Sequence, residues 1–353
     1  MTSASPSHAS LRAQYRRFAL RRLTLLVMLT MILLATWMLD IAAGPSELPL
    51  ADIAQGLIQP RDMPPEQRVI LWNLRLPYAV MAVLVGGALG LAGAEMQTVL
   101  NNPLASPFTL GLSAAASVGA SIVVLSGWSL EAWNENLALT LGAFTMALLA
   151  TLLILWLSWW RGASTETVVL FGIGLMFSFE ALLWLLQYLA DSNALQQIVF
   201  WSMGSLARAT WSKVAILAAV LLACALWASA NAWPLTTLRA GEEQARSMGI
   251  AVERLRLVTL VRISLLSATA LSFVGTIGFV GLVGPHVARL LLGEDHRYYL
   301  PGSMLAGALM LSAASVLSKT LVNGVILPVG VITALVGVPL FMSLIAYGKR
   351  RHA

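Results

Sequence analysis

Charge-free apolar runs recur along the 353 residues, at 76–94, 107–127, 137–160, 214–238, 263–285, 300–318 and 320–348. Segments 23–43 and 166–190, and the shorter 278–293 that Gly and Pro interrupt, carry only isolated charges and bring the expected number of spans to about ten. A helix crossing the hydrocarbon of a bilayer needs roughly 20 apolar residues. These runs are apolar all round and rich in Leu, Ala and Gly, unlike the short alternating strands of a membrane β-barrel. An all-α polytopic membrane protein is predicted. The longest polar connection, 44–74, is shorter than the roughly 50 residues an independent soluble domain ordinarily needs. One transmembrane domain, 23–348, therefore lies between a basic N-terminal segment, 1–22, and a short tail, 349–353.

Composition agrees, with 58% hydrophobic and 11% charged residues and a mean hydropathy of +0.80. Only the bilayer can act as solvent for such a chain. The net charge of +6 would suit nucleic acid, but the distribution of the 22 Lys and Arg residues decides otherwise. Arg12, Arg16, Arg17, Arg21 and Arg22 precede the first run, Arg239, Arg246, Arg254 and Arg256 fill the central loop, and Lys349, Arg350 and Arg351 close the chain. Basic residues in alternate loops mark the cytoplasmic side, so both termini are expected inside the cell. The first apolar run exceeds the core of a signal peptide, about 7 to 15 residues, and reads as a retained span.

Gly93 stands ten residues before Pro103, and Gly275 ten before Pro285. An inverted repeat of the kind common in transporters would place such pairs in opposite orientations. Small residues crowd 85–94 and 113–121, where helices are expected to pack closely.

The chain has no phosphate-binding G-x-x-x-x-G-K-[ST], no H-E-x-x-H and no G-x-S-x-G, and its four His (His8, His286, His296, His352) are scattered. ATP-driven work would fall to a partner subunit. The lone Cys224, inside an apolar run, has no cysteine to pair with and no neighbour at metal-ligand spacing. Glu95 and Glu180 fall within spans, where a carboxylate costs on the order of 3 kcal/mol. Two readings are open: relays of a proton-coupled secondary carrier, or carboxylates satisfied near a span end or by hydrogen bonds. In the central loop 239–256, Glu242 and Glu243 open a short helix, Arg246 lies in its later turn and Gly249 supplies a C-cap. Such a capped, charged helix is either a plain connector or a handle for a cytoplasmic partner.

Four ordered blocks carry a resemblance: RLPYAVMAVLVGGALGLAGAEMQTVLNNPLASPFTLGLS (75–113), GEEQARSMGI (241–250), IGFVGLVGPHVARLLLGEDHRYYLPGS (277–303) and LPVGVITALVGVPLFMSL (327–344), joined by WSMGSL (201–206). The chain closely resembles the FecCD-type permeases, membrane subunits of bacterial importers for iron siderophores, haem and cobalamin. The resemblance implies a ten-helix, inverted-repeat permease with the type II importer fold, resident in the bacterial cytoplasmic membrane. It implies a second permease chain, identical or homologous, two cytoplasmic subunits carrying ATP and Mg, and an extracytoplasmic substrate-binding protein. No cofactor, catalytic residue or metal ligand is implied on this chain, whose cargo would be an iron-siderophore or related metal chelate.

By the same resemblance, Gly241, Glu242, Ala245, Arg246, Ser247 and Gly249 fall in the helix that couples to the ATPase. Asn102 and Leu104, with Pro103 between them, and Ser164 and Thr165 fall in the loops that constrict the cytoplasmic exit. Arg75 and Lys319 match outer-face residues that pair with acidic groups of the binding protein, the other reading being interfacial anchors. Two positions depart from the pattern. Ile326 replaces the usual Glu before LPVG, and Glu95 interrupts a segment that is usually apolar.

Overall fold

The computed structural model describes residues 8–44, 48–127, 135–160, 164–322 and 324–349; residues 1–7 and Arg350 and Arg351 of the basic tail lie outside this set. Every regular element among the described residues is a helix, and none is a strand. In chain order the helices are α1 (His8–Ala42), α2 (Leu50–Ile58), α3 (Pro65–Val69), α4 (Leu76–Val99), α5 (Leu112–Ser126), α6 (Glu135–Trp160), α7 (Thr165–Leu189) and α8 (Ser192–Ser202). They continue as α9 (Trp211–Ala230), α10 (Ala232–Ala240), α11 (Glu242–Ser247), α12 (Val252–Val274), α13 (Val280–Leu292), α14 (His296–Thr320) and α15 (Val329–Lys349). Seven are long and apolar enough to cross a membrane, and α5, α13 and α15 are shorter apolar helices, giving the ten segments that the hydropathy pattern predicts.

Three boundaries differ from that pattern. The run 263–285 is cut at Gly275, whose φ of 81° ends α12, and α13 starts only at Val280 after a left-handed Phe279. The run 214–238 breaks at Asn231 into α9 and α10, and the last run is helical only from Val329. Pro285 sits inside α13, whereas Pro103 lies in the turn after α4; Gly93 is mid-helix and Gly275 a helix end. The two Gly–Pro pairs thus occupy different structural positions. Hydropathy does not register such breaks, because Gly275 and Phe279 are themselves small or apolar and Asn231 is a single uncharged residue within a long apolar run.

α4 and α12 form the centre, buried over 83% and 78% of their apolar windows. α4 packs on α14, α12 and α13, α5 on α6, and α1 on α14. Close approach rests on glycine: at Gly90 and Gly93 the space a Cβ would take is filled by the carbonyl oxygens of Ser303 and Gly281. Without a hydrophobic driving force between helices in lipid, such backbone contact supplies much of the attraction. Helices α1 and α14 run parallel. Arg22 of α1 meets Asp295 where α14 begins, and Asp40 meets Lys319 where both end. The bundle therefore has a basic end, with α10, α11 and the α4–α5 turn, and a far end, with α2, α3 and α8.

Candidate coupling and gating site

At the basic end, Gly241 starts α11 with φ 143° and open space around it, and Glu242 and Glu243 face the helix N-terminus, where negative charge is favoured. The helix ends in a Schellman arrangement: Gly249 (φ 81°) donates to the Arg246 carbonyl at 3.0 Å and Ile250 to that of Ala245 at 3.0 Å. Ala245 is fully buried and seats α11 on the bundle. Ser247 Oγ turns back to the Gln244 carbonyl at 2.8 Å. Arg246 is exposed, bonding Glu253 at 2.7 Å and lying 3.5 Å from Glu242. The six residues expected to couple thus form one short, doubly hinged, surface helix.

Glu242 also pairs with Arg256, which is only 2% exposed and whose Nε donates to the carbonyl of Val99, the last residue of α4, at 3.1 Å. Beyond Val99 the chain turns through Asn101 (φ 42°) and Asn102, whose Oδ1 accepts from the Leu104 amide at 2.9 Å. Asn102 thereby shapes the turn that presents Leu104, a large apolar side chain left 52% exposed. Arg239 reaches the same turn from α10, donating to Asn101 Oδ1 at 2.6 Å and to Glu294 at 3.0 Å. Behind the turn, Arg289 donates to Gln97 at 2.8 Å and to the Tyr299 hydroxyl at 3.1 Å. His296 sits between Thr98 at 2.8 Å and Thr236 at 3.1 Å. The end of α4 is thus tied to α10, α12, α13 and α14. Ser164 caps α7 by accepting from the Thr167 amide at 3.2 Å, and Thr165 is the first helical residue. Among the described residues no hydrogen bond joins this cap to the Asn102–Leu104 turn.

Deeper in the bundle, the single Nε–H of Arg262 is shared between the two carboxylate oxygens of Glu95, each 2.9 Å away, and Nη2 donates to Oε1, with both side chains fully buried. Arg262 also lies over Trp227, 5.2 Å from the ring centroid. Glu95 is therefore satisfied by an arginine 167 positions away rather than standing as an isolated acid. Glu180 is half-buried on α7.

At the far end, neither Arg75 nor Lys319 is a free rim charge. Arg75, 6% exposed, donates to the carbonyls of Ile41 (3.0 Å) and Ala42 (2.8 Å), capping the end of α1. Lys319 donates at 2.8 Å to both the side chain and the carbonyl of Asp40 and lies over Tyr78. Both cations line one cavity of about 280 Å³ with Tyr78, Leu74 and Ile326. Burial enforces this pairing, since a desolvated cation needs an anion or carbonyl close by.

Among the described residues no group of three or more His, Cys, Asp or Glu side chains is placed to hold a metal. Arg239, Arg256, Arg262, His296 and Asp40 were not singled out by sequence for these contacts. Arg256 carried a signal, standing between the apolar Leu255 and Leu257 on a helix that must bury one face.

The sequence profile of the FecCD transport family matches residues 32–347. The hemin transport system permease protein HmuU of Yersinia pestis is 36% identical over 284 residues, covering 80% of this chain and 85% of its own. The vitamin B12 import system permease protein BtuC of Klebsiella pneumoniae is 34% identical over 324 residues, covering 92% and 93% respectively. A solved structure described as an inward-facing metal-chelate type ABC transporter superimposes with a TM-score of 0.80 at 28% identity, over 92% of this chain and 99% of that one. Sequence, span pattern and fold agree, and the chain belongs to the FecCD transport family as an ABC importer permease.

Proposed function

We propose that this permease moves a bulky metal chelate, of the iron-siderophore class or a related one, inward across the cytoplasmic membrane. It would do so at the interface of two permease chains, identical or homologous. Two cytoplasmic subunits would bind ATP and Mg, and an extracytoplasmic binding protein would deliver the cargo. In this reading the basic end and both termini face the cytoplasm, as the positive-inside distribution expects. The observation that carries it is α11, a charged surface helix whose Glu242 is tied through Arg256 to the end of α4, immediately before the Asn102–Leu104 turn. Closure of the ATPase pair would press on Gly241–Gly249 and tilt the halves, moving that turn and the Ser164–Thr165 cap so that access switches from outside to inside. Hemin and vitamin B12, in the names of two relatives, are metal-containing macrocycles and support the cargo class. At the far end, an acidic group of the binding protein would enter the cavity that Arg75 and Lys319 line, where salt weakens the contact only in part. The proton-relay reading loses one of its two carboxylates, because Arg262 engages Glu95.

The test is reconstitution. The tagged chain is purified in mild detergent with its co-purifying subunits, placed in vesicles and assayed for uptake of ferric siderophore, hemin and cobalamin with and without ATP. ATP-dependent accumulation of one of them is expected. Uptake that needs no ATPase subunit and collapses with an uncoupler would refute the reading.

A further inference from the structure

Helix α11 is bounded by two glycines at positive φ, Gly241 and Gly249, and a Cβ at either would meet nothing within 4 Å. The helices on each side both send an arginine to the same place. Arg239 of α10 bonds Asn101, and Arg256 of α12 bonds the Val99 carbonyl. Only Arg256 also holds α11 itself, through Glu242. Its side chain runs from a half-exposed carboxylate at the surface to a carbonyl in the core, while the residue is only 2% exposed. The last carbonyls of a helix lack intrahelical donors, and a cation there is favoured by the helix dipole, so this contact is a strong one for the end of α4 to make.

Six residues further along α12, Arg262 grips Glu95, four residues before Val99 on α4. The two rungs are separated by about 6 Å along α4 and about 9 Å along α12, from the helical rise. Above the lower rung, then, α12 is held from sliding past α4. A displacement of α11 would then have little freedom to dissipate between these helices and would pass to the turn after Val99, the first backbone beyond the helix.

We propose that Arg256 is a positioning residue for transport: it relays movement of α11 to the turn that bears Leu104. The inference rests on α11 being the contact for the ATPase. It needs no covalent chemistry, only that one guanidinium keep hold of both Glu242 and the Val99 carbonyl.

The experiment uses the whole assembly in vesicles, with Cys224→Ala to remove the native thiol and Leu104→Cys as reporter. The rate at which a membrane-impermeant maleimide labels position 104 is measured with and without ATP. With Arg256 present, ATP should change the rate. Arg256→Gln should cut that change by about tenfold while the ATPase remains bound and hydrolysing. Arg256→Lys, which keeps the charge but lacks the fork, should retain part of it. Glu242→Gln removes the contact from its exposed end and should give the same loss when the labelling change is normalised to the ATPase bound, which keeps the test decisive if the core variant fails to fold. An undiminished ATP-dependent change in Arg256→Gln or Glu242→Gln overturns the relay while leaving the importer reading intact. No ATP-dependent change even with Arg256 and Glu242 present, or no co-purifying ATPase, overturns both.

Discussion

Glu95 and Arg262 show how a buried charge is made tolerable. The carboxylate is held by the Nε and Nη2 donors of one guanidinium, with neither side chain exposed to solvent. Removing one partner strands the other, at roughly 3–5 kcal/mol, whereas replacing both with apolar groups is often neutral or better. Glu95→Ala should therefore sharply lower the unfolding midpoint in detergent, and Glu95→Ala with Arg262→Leu should recover most of it; equal losses in the single and double variants would contradict the pairing. Asp295 behaves differently because it lies outside the spans, capping α14. Burial works against its ionisation, but hydrogen bonds from the Arg297 side chain and backbone and the charges of Arg297 and Arg22 outweigh it and hold its carboxyl below the usual range. A depressed folded pKa contributes stability that is present above the unfolded value, about 3.9, and is lost as pH falls through the folded one. Asp295→Asn keeps a capping oxygen, so its thermal stability should lie below wild type at neutral pH and converge with it in strong acid. A constant gap across that range would assign the difference to something other than charge.

Helix α11 was legible as an element, because its signals are local: acid in the first turn, Arg in the last, and Gly where the chain must turn left-handed. Its attachment was not, since Glu242 meets a partner 14 residues on that also reaches back 157 positions to Val99. Arg246 is the surface cation of the helix, and reversing its charge would set three carboxylate-bearing side chains together at 242, 246 and 253. Arg246→Glu is expected to lower ATP-dependent uptake by about tenfold with membrane insertion unchanged. Wild-type uptake in that variant would remove Arg246 from the coupling surface. The proposed gate residues do not meet within one chain: Asn102 and Ser164 each organise their own loop, by an Asx-type bond and an N-cap.

The whole bundle is asymmetric in burial. α4 and α12 are largely enclosed, whereas α7 is buried over only 11% of its window and exposes Phe177, Trp184, Leu185 and Tyr188. A face of that kind suits lipid or a second permease chain, and the importer reading requires the latter. Light scattering on the assembly in mild detergent should give a mass containing two permease chains and two ATPase subunits; one of each would oppose the proposed pathway. Spans, the capped loop helix and family membership follow from sequence alone, because bilayer solvation imposes long uncharged runs and caps are local chemistry. Tertiary structure decided the helix breaks at Gly275 and Asn231, the pairing of Glu95 with Arg262, and the burial of Arg75 and Lys319 against the end of α1. A charge written as isolated in sequence has its fate set by whichever distant group the packing brings within 3 Å, and no local pattern encodes that distance.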